Sequence, residues 1–227
     1  MNETKFGYLL INKPVGPTSH DIVHKLRCIT GIKKIGHAGT LDPFACGILI
    51  LAIGREATKG INRYVKLNKE YVATLYLGSI STTYDREGEI KKWPGNVKKI
   101  TNDEVQEVLK KFVGEQLQTP PMFSAKKVKG KRLYKLARQG RVVDRPASAI
   151  KIETINLLKY EWPFLQIKIK CSSGTYIRAL ADDIGKKLNC GAYLSELQRT
   201  KIGPYLLENS FDIEKINKEN WTNYLFS

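Results

Sequence analysis

The sequence predicts an α+β (mixed α/β) fold: a central mixed sheet flanked by helices and interrupted by one inserted basic arm. Three observations carry this. Stretches of two-residue apolar alternation and stretches of helical periodicity intermix without a regular β-α-β repeat. Neither G-x-G-x-x-G nor G-x-x-x-x-G-K-[ST] is present, so a dinucleotide fold and a P-loop lack support. The length, 227 residues, suits one sizeable core with an insertion.

Each element has its own signal. Residues 7–11 (GYLLI) read as a short strand, ended by Asn12-Lys13-Pro14 and a Gly16-Pro17 turn. Thr18 with Asp21 forms a capping box, and it opens a helix with Ile22, Val23, Leu26 and Ile29 on one face. After a glycine-rich loop, residues 47–53 read as a fully buried strand, followed by a short helix at about 56–65. Residues 69–78 (KEYVATLYLG) alternate as a half-buried strand with Tyr71, Ala73, Leu75 and Leu77 on one face. Near Asn102 a helix begins, with Val105, Val108, Leu109 and Phe112 at helical spacing and Gly114 as its stop. The stretch that follows is proline-led and basic (PPMFSAKKVKGKRLYKLARQG), with a short helix at 133–139, and reads as an inserted, mobile arm at about 119–147. Strands return at 150–158 and 164–171, and GTYIRALADDIGKKL opens a last helix at about Thr175.

Charge narrows the function. Lys and Arg number 38 against 22 Asp and Glu, a formal net of +16, which suits a polyanionic partner such as nucleic acid. No segment is long and apolar enough to span a bilayer, and MNETKFGYLLINKP has no signal-peptide pattern, so a cytoplasmic protein without membrane contact is expected. Cys28, Cys46, Cys171 and Cys190 are scattered, with no C-x-x-C pair, which argues against structural zinc and a disulfide framework; Cys28 and Cys46 lie in apolar contexts. His20 and His24 (HDIVH) share a helix face, but Asp21 stands where a zinc hydrolase needs Glu and no third ligand is apparent, so no metal is expected.

The arm carries Lys126, Lys127, Lys129, Lys131, Arg132, Lys135, Arg138, Arg141 and Arg145, interleaved with Phe123 and Tyr134. Cations for phosphates beside aromatic faces for stacking is the composition of an RNA-binding surface, and a solvated basic loop is its bland alternative. Two further charges sit in apolar settings: Asp42 in GHAGTLDPFACGILIL and Arg178 in CSSGTYIRAL. A carboxylate at the edge of a core is costly unless hydrogen-bonded, paired or used. Pairing Asp42 with Arg178 would solve both desolvation problems and favour the ionised carboxylate.

These motifs resemble the bacterial tRNA pseudouridine synthases of the TruB family. GYLLINKPVGPTSHDIV, GHAGTLDPFACGILIL, KEYVATLYLG, PPMFSAKKVKGKRLYKLARQG, CSSGTYIRALADDIGKKL and GAYLSELQRTKIG occur in the family's order, from Gly7 to about Gly203. The resemblance implies a pseudouridine synthase fold with a mostly antiparallel sheet, and isomerisation of the T-loop uridine at tRNA position 55. It implies that Asp42 is the catalytic aspartate, that Tyr71 stacks on the target base, and that Arg178 pairs with the aspartate. Leu197 becomes the apolar wall of the base pocket, His37 a residue holding the T-loop open, Lys13-Pro14 a structural step, and the basic arm a thumb gripping the T-arm.

An isomerisation without net redox change or hydrolysis requires no cofactor, and one ionised carboxylate aimed at a flipped nucleoside is enough for covalent catalysis. Relatives continue into a PUA-like domain. Here about residues 210–227 follow the last motif, room for a terminal helix, so no C-terminal PUA domain is expected, and a monomer working through T-arm and thumb without an obligate protein partner is. The alternatives are a non-catalytic tRNA-binding or tRNA-folding protein and a pseudouridine synthase with another RNA target.

Overall fold

A computed structural model describes residues 6–226 except 125, 129, 138 and 142, with the side chains of 127, 131, 132, 134 and 135 also left aside. In chain order the elements are β1 (Gly7–Lys13), α1 (Ser19–Thr30), β2 (Ile35–His37), β3 (Cys46–Ile53), α2 (Arg55–Gly60), α3 (Asn62–Val65), β4 (Lys69–Leu77), β5 (Ser79–Ser81) and β6 (Ile90–Lys92). There follow α4 (Asn102–Lys110), β7 (Gly114–Gln118), β8 (Lys127–Val128), β9 (Lys131–Arg132), α5 (Leu133–Ala137), β10 (Ser148–Glu161), β11 (Phe164–Cys171), α6 (Ile177–Lys187), β12 (Ala192–Ile202), β13 (Tyr205–Leu206) and β14 (Phe211–Asp212). The chain divides into two compact units, residues 1–70 with 198–227, and residues 71–197. No helix among the described residues is long and apolar enough to cross a membrane.

In the first unit the strand order is β14-β1-β3-β12, with β2 beside β3 and β13 beside β12. β1 and β3 run antiparallel, from Gly7 opposite Ile53 to Lys13 opposite Gly47. β3 and β12 run parallel, with Arg199 opposite Gly47. One face of this sheet (Leu9, Ile11, Leu49, Leu51, Ile53) packs against Ile22, Val23 and Leu26 of α1 and against Ile213, Ile216 and Trp221. The other face (Tyr8, Leu10, Ile48, Ile50, Ala52) packs against Ala57 and Tyr64 from α2 and α3. Burial on both faces is why β3 reads CGILILAI without alternation. Each fully buried side chain of that kind contributes about 1.5–3 kcal/mol.

The second unit orders its strands β12-β4-β11-β10-β7. β4 buries every other residue, with Tyr71, Ala73, Leu75 and Leu77 inward, as a sheet with one covered face requires. α4 packs on β10 and α6. The basic arm interrupts a strand pair: Gln118 of β7 lies opposite Ser148 of β10, and residues 119–147 run out and back between them. Its root is closed by hydrogen bonds from Arg145 Nη1 to the Pro120 carbonyl at 3.2 Å and from Lys126 Nζ to Ser148 Oγ.

Some elements differ from the sequence reading. The helix expected up to Gly114 ends at Lys110. The Phe112 and Val113 amides fold back onto the Leu109 and Lys110 carbonyls as a tight turn, and Gly114 opens β7 instead. The single helix expected at 56–65 is two short ones, α2 and α3, meeting at Ile61. Residues 192–202, whose local pattern predicts neither helix nor strand, form β12. The terminal segment adds a short parallel strand and 3₁₀ turns (Ile213–Lys215, Trp221–Tyr224) whose apolar residues cover the sheet, so it is held by packing and not by helical periodicity. Cys28 is exposed rather than apolar filling, because it lies on the outer face of α1.

Helix α4 makes a pH-dependent prediction. Its capping box sets Glu104 against Lys98 and the Thr101 amide, which hold the Glu104 carboxyl down to about 2. A depressed carboxyl contributes stability above its ordinary value near 4.5, lost as pH falls through about 2. The stability difference between wild type and Glu104→Gln, followed by urea unfolding, is therefore expected to be constant at neutral pH and to close across that acid window.

Candidate active site

Asp42 lies on the loop that joins β2 to β3, and its neighbours are anchored before and after it. Leu41, fully buried, donates its amide to Ser19 Oγ at 2.8 Å, and that hydroxyl donates to the Leu41 carbonyl at 3.0 Å. Ser19 is the first residue of α1, so the capping box that starts the helix also places the loop's anchor. On the other side, the Pro43 carbonyl accepts from the Gly16 amide at 2.8 Å and from Lys13 Nζ at 3.5 Å. The Lys13 ammonium, buried at the end of β1, also donates to the Pro14 and Pro17 carbonyls at 2.8 and 2.7 Å. The Ala45 amide closes a turn onto the Asp42 carbonyl at 3.1 Å, with Phe44 and Ala45 buried beneath. Asp42 itself is half-buried, a carboxylate at the rim of the apolar sheet. His37, half-buried, ends β2 opposite Leu51. This half of the predicted site belongs to the first unit.

The second unit carries Tyr71, Arg178 and Leu197, all buried, on β4, α6 and β12. Arg178 stands in the first turn of α6, and its guanidinium is 3.0 Å from Asp85, with side chains 7% and 2% exposed. Its Nη2 donates to the Phe123 carbonyl at 2.8 Å, and Nη1 reaches the Thr83 carbonyl at 3.4 Å. Asp85 accepts in addition from Thr83 Oγ1 at 2.5 Å and from the Glu87 amide at 3.0 Å. A buried pair of this kind holds because both ions keep hydrogen bonds on their remaining atoms.

Sequence reasoning missed Asp85. It sits in TTYDREG, a polar turn whose composition is that of any solvated loop. What buries it is tertiary: Asp85 bridges to Leu194, and the Arg86 and Leu194 amides bond across at 3.1 and 2.9 Å. The neighbouring Tyr84 takes φ +65°, a left-handed conformation costly for an aromatic residue and a mark of a constrained site.

Of the arm residues, Lys126 is half-buried and turns its ammonium to Ser148 and toward the Pro146 carbonyl at the arm's root. Lys129 and the side chains of Lys127, Lys131, Arg132 and Tyr134 lie outside the described residues. His20 and His24 are exposed on α1, and among the described residues no group of His, Cys, Asp and Glu could hold a metal ion.

Removing one member of a buried ion pair leaves the other uncompensated, which costs about 3–5 kcal/mol. Asp85→Ala is expected to lower unfolding stability by that amount, with Asp85→Asn, which keeps hydrogen-bonding atoms, losing less; chemical denaturation of both variants checks this.

Residues 27–177 match the N-terminal domain of TruB family pseudouridylate synthase, and residues 178–226 match the tRNA pseudouridylate synthase B C-terminal domain. The chain is 46% identical over 221 residues to tRNA pseudouridine synthase B of Clostridium novyi (strain NT), covering 97% of this chain and 75% of that protein. It is 48% identical over 211 residues to the protein of the same name from Protochlamydia amoebophila (strain UWE25), covering 93% and 79%. Among solved structures it is similar to one from a Cbf5-Nop10-Gar1 complex, with a TM-score of 0.72 and 31% identity over 93% of this chain. It spans about half that longer chain, 53%. The chain belongs to the TruB family of pseudouridylate synthases.

Proposed function

We propose that the protein converts uridine to pseudouridine at position 55 in the T-loop of tRNA, acting in the cytoplasm as a monomer. The observation that carries this is Asp42, a half-buried carboxylate on a loop pinned at both adjacent residues, in a chain whose relatives are named tRNA pseudouridine synthase B. A loop fixed this heavily serves a group whose position matters.

The reaction breaks the bond between C1′ and N1 of the uridine and forms one between C1′ and C5. The hydrogen on C5 leaves to solvent as a proton, and N1 takes one up, so atoms and electrons balance without an outside oxidant or reductant. The base must first leave its stack, at a cost of a few kcal/mol. Tyr71 stacked on the flipped base returns about 1–3 kcal/mol of that. Leu197 walls the base, His37 keeps the T-loop open, and the arm residues Lys126, Lys127, Lys129, Lys131, Arg132 and Tyr134 grip the T-arm. Arg178 is the cation for Asp42. A guanidinium carries five donors in a planar fork, so its bonds to Asp85 and Phe123 are compatible with a second carboxylate.

Purified protein incubated with a tRNA transcript tritiated at uridine C5 is expected to release one tritium per tRNA. Asp42→Asn is expected to abolish release while tRNA binding persists. Binding without release by the wild type, under the same conditions, would leave a tRNA-binding protein and overturn the proposal. For the arm, Lys131→Ala combined with Arg132→Ala is expected to flatten the log–log salt dependence of tRNA binding by about 0.7–0.9 per lost phosphate contact.

A further inference from the structure

The ELQRT motif supplied Leu197 as a pocket wall, but the residue two positions on, Arg199, has the more unusual surroundings. Arg199 is 1% exposed, among the largest fully buried side chains of the described residues. A guanidinium so buried must be satisfied, and Arg199 spends one donor on the loop that carries Asp42 and one on β3, which follows it. Its Nε donates to the Ile48 carbonyl at 2.8 Å and its Nη2 to the Gly39 carbonyl at 3.2 Å. Gly39, on the loop, precedes Asp42 by three residues and Ile48, on β3, follows it by six, so one rigid fork ties the chain before the carboxylate to the strand after it.

The glycines bear this out. A Cβ on Gly47 would lie 2.3 Å from the Arg199 carbonyl oxygen and 2.7 Å from its amide nitrogen, and Gly47 holds φ +110°. The β3 backbone thus lies directly on Arg199. At Gly39, φ is +100° and a Cβ would stand 3.5 Å from Arg199 Nη1. Gly47 thus lets β3 lie against the backbone of Arg199, while at Gly39, beside the guanidinium, it is the positive φ that calls for glycine.

We infer that Arg199 is a positioning residue for the reaction, a clamp that sets where Asp42 stands by tying the loop at Gly39 to β3 at Ile48. The inference rests on the proposed synthase activity for its kinetic consequence. It acts through backbone carbonyls and not on the substrate, so its loss changes the chemical step and leaves RNA binding alone.

Two variants test it. Arg199→Lys keeps the charge but not the planar fork, and Arg199→Gln removes the charge. With enzyme in saturating excess over tritiated tRNA, the single-turnover rate constant does not depend on the fraction of enzyme that is folded. Misplacing a catalytic group by about 1 Å costs about 100-fold, so both variants are expected to lose about that factor in the single-turnover rate while tRNA affinity is unchanged. In the same preparations, hydrogen exchange is expected to speed up at the amides of Ala38 and Ala45, which bond to Ile50 and Asp42, and not at Leu9 and Ile11 in β1. A wild-type rate in Arg199→Lys means that charge alone suffices and overturns the clamp. Unchanged loop exchange in both variants also overturns it. If the wild type itself releases no tritium, the proposed function fails, and the exchange measurement still decides whether Arg199 holds the loop.

Discussion

Everything about the Asp42 loop follows from one constraint: peptide groups that leave a sheet at the edge of an apolar core must find hydrogen-bond partners. A buried carbonyl without a donor costs on the order of 1–3 kcal/mol, and several sit here together. The protein answers with two buried cations and a hydroxyl. Lys13 serves carbonyls of the turn after β1 and Pro43, Arg199 serves Gly39 and Ile48, and Ser19 serves both polar groups of Leu41. Each buried cation needs acceptors of this kind around it. Loop and cations thus solve each other's desolvation problem, and the loop becomes stiff where a flexible one would be ordinary.

The same logic governs the second unit. Arg178 and Asp85 are buried together, and Thr83, the Glu87 amide and the Phe123 carbonyl add hydrogen bonds to the pair. Phe123 belongs to the arm's root, where Arg145 and Lys126 also close the two ends together. The basic arm is therefore an insertion between paired strands whose base is tied directly to the buried arginine.

Much of the fold is visible in local patterns. The Thr18 box, the helix start near Asn102, the alternation of β4 and the unbroken apolar run of β3 are signals within a few residues, and the structure has each of them in place. β12 escaped because its two halves serve different units and its burial follows no single period. The end of α4 escaped because the tight turn after Lys110 uses residues with no helix-stopping chemistry of their own. In the site, Asp42 and Arg178 stood out as charges in apolar surroundings. Asp85 and Ser19 did not, since each sits in a polar stretch typical of the surface, and the carboxylate partner found for Arg178 within its unit is Asp85.

The sequence by itself determined the chain's class, its polyanionic partner chemistry, the family motifs and the isolated carboxylate, because those reside in residue identity and short spacing. The tertiary structure alone decided which polar residues are buried and what they hold. Lys13, Ser19 and Arg199 look like surface residues until strands from opposite ends of the chain enclose them, since burial depends on what packs above a residue and not on its neighbours in sequence. Whether a lysine or arginine is a solvated charge or the brace of a buried loop is therefore settled only when the sheet closes around it.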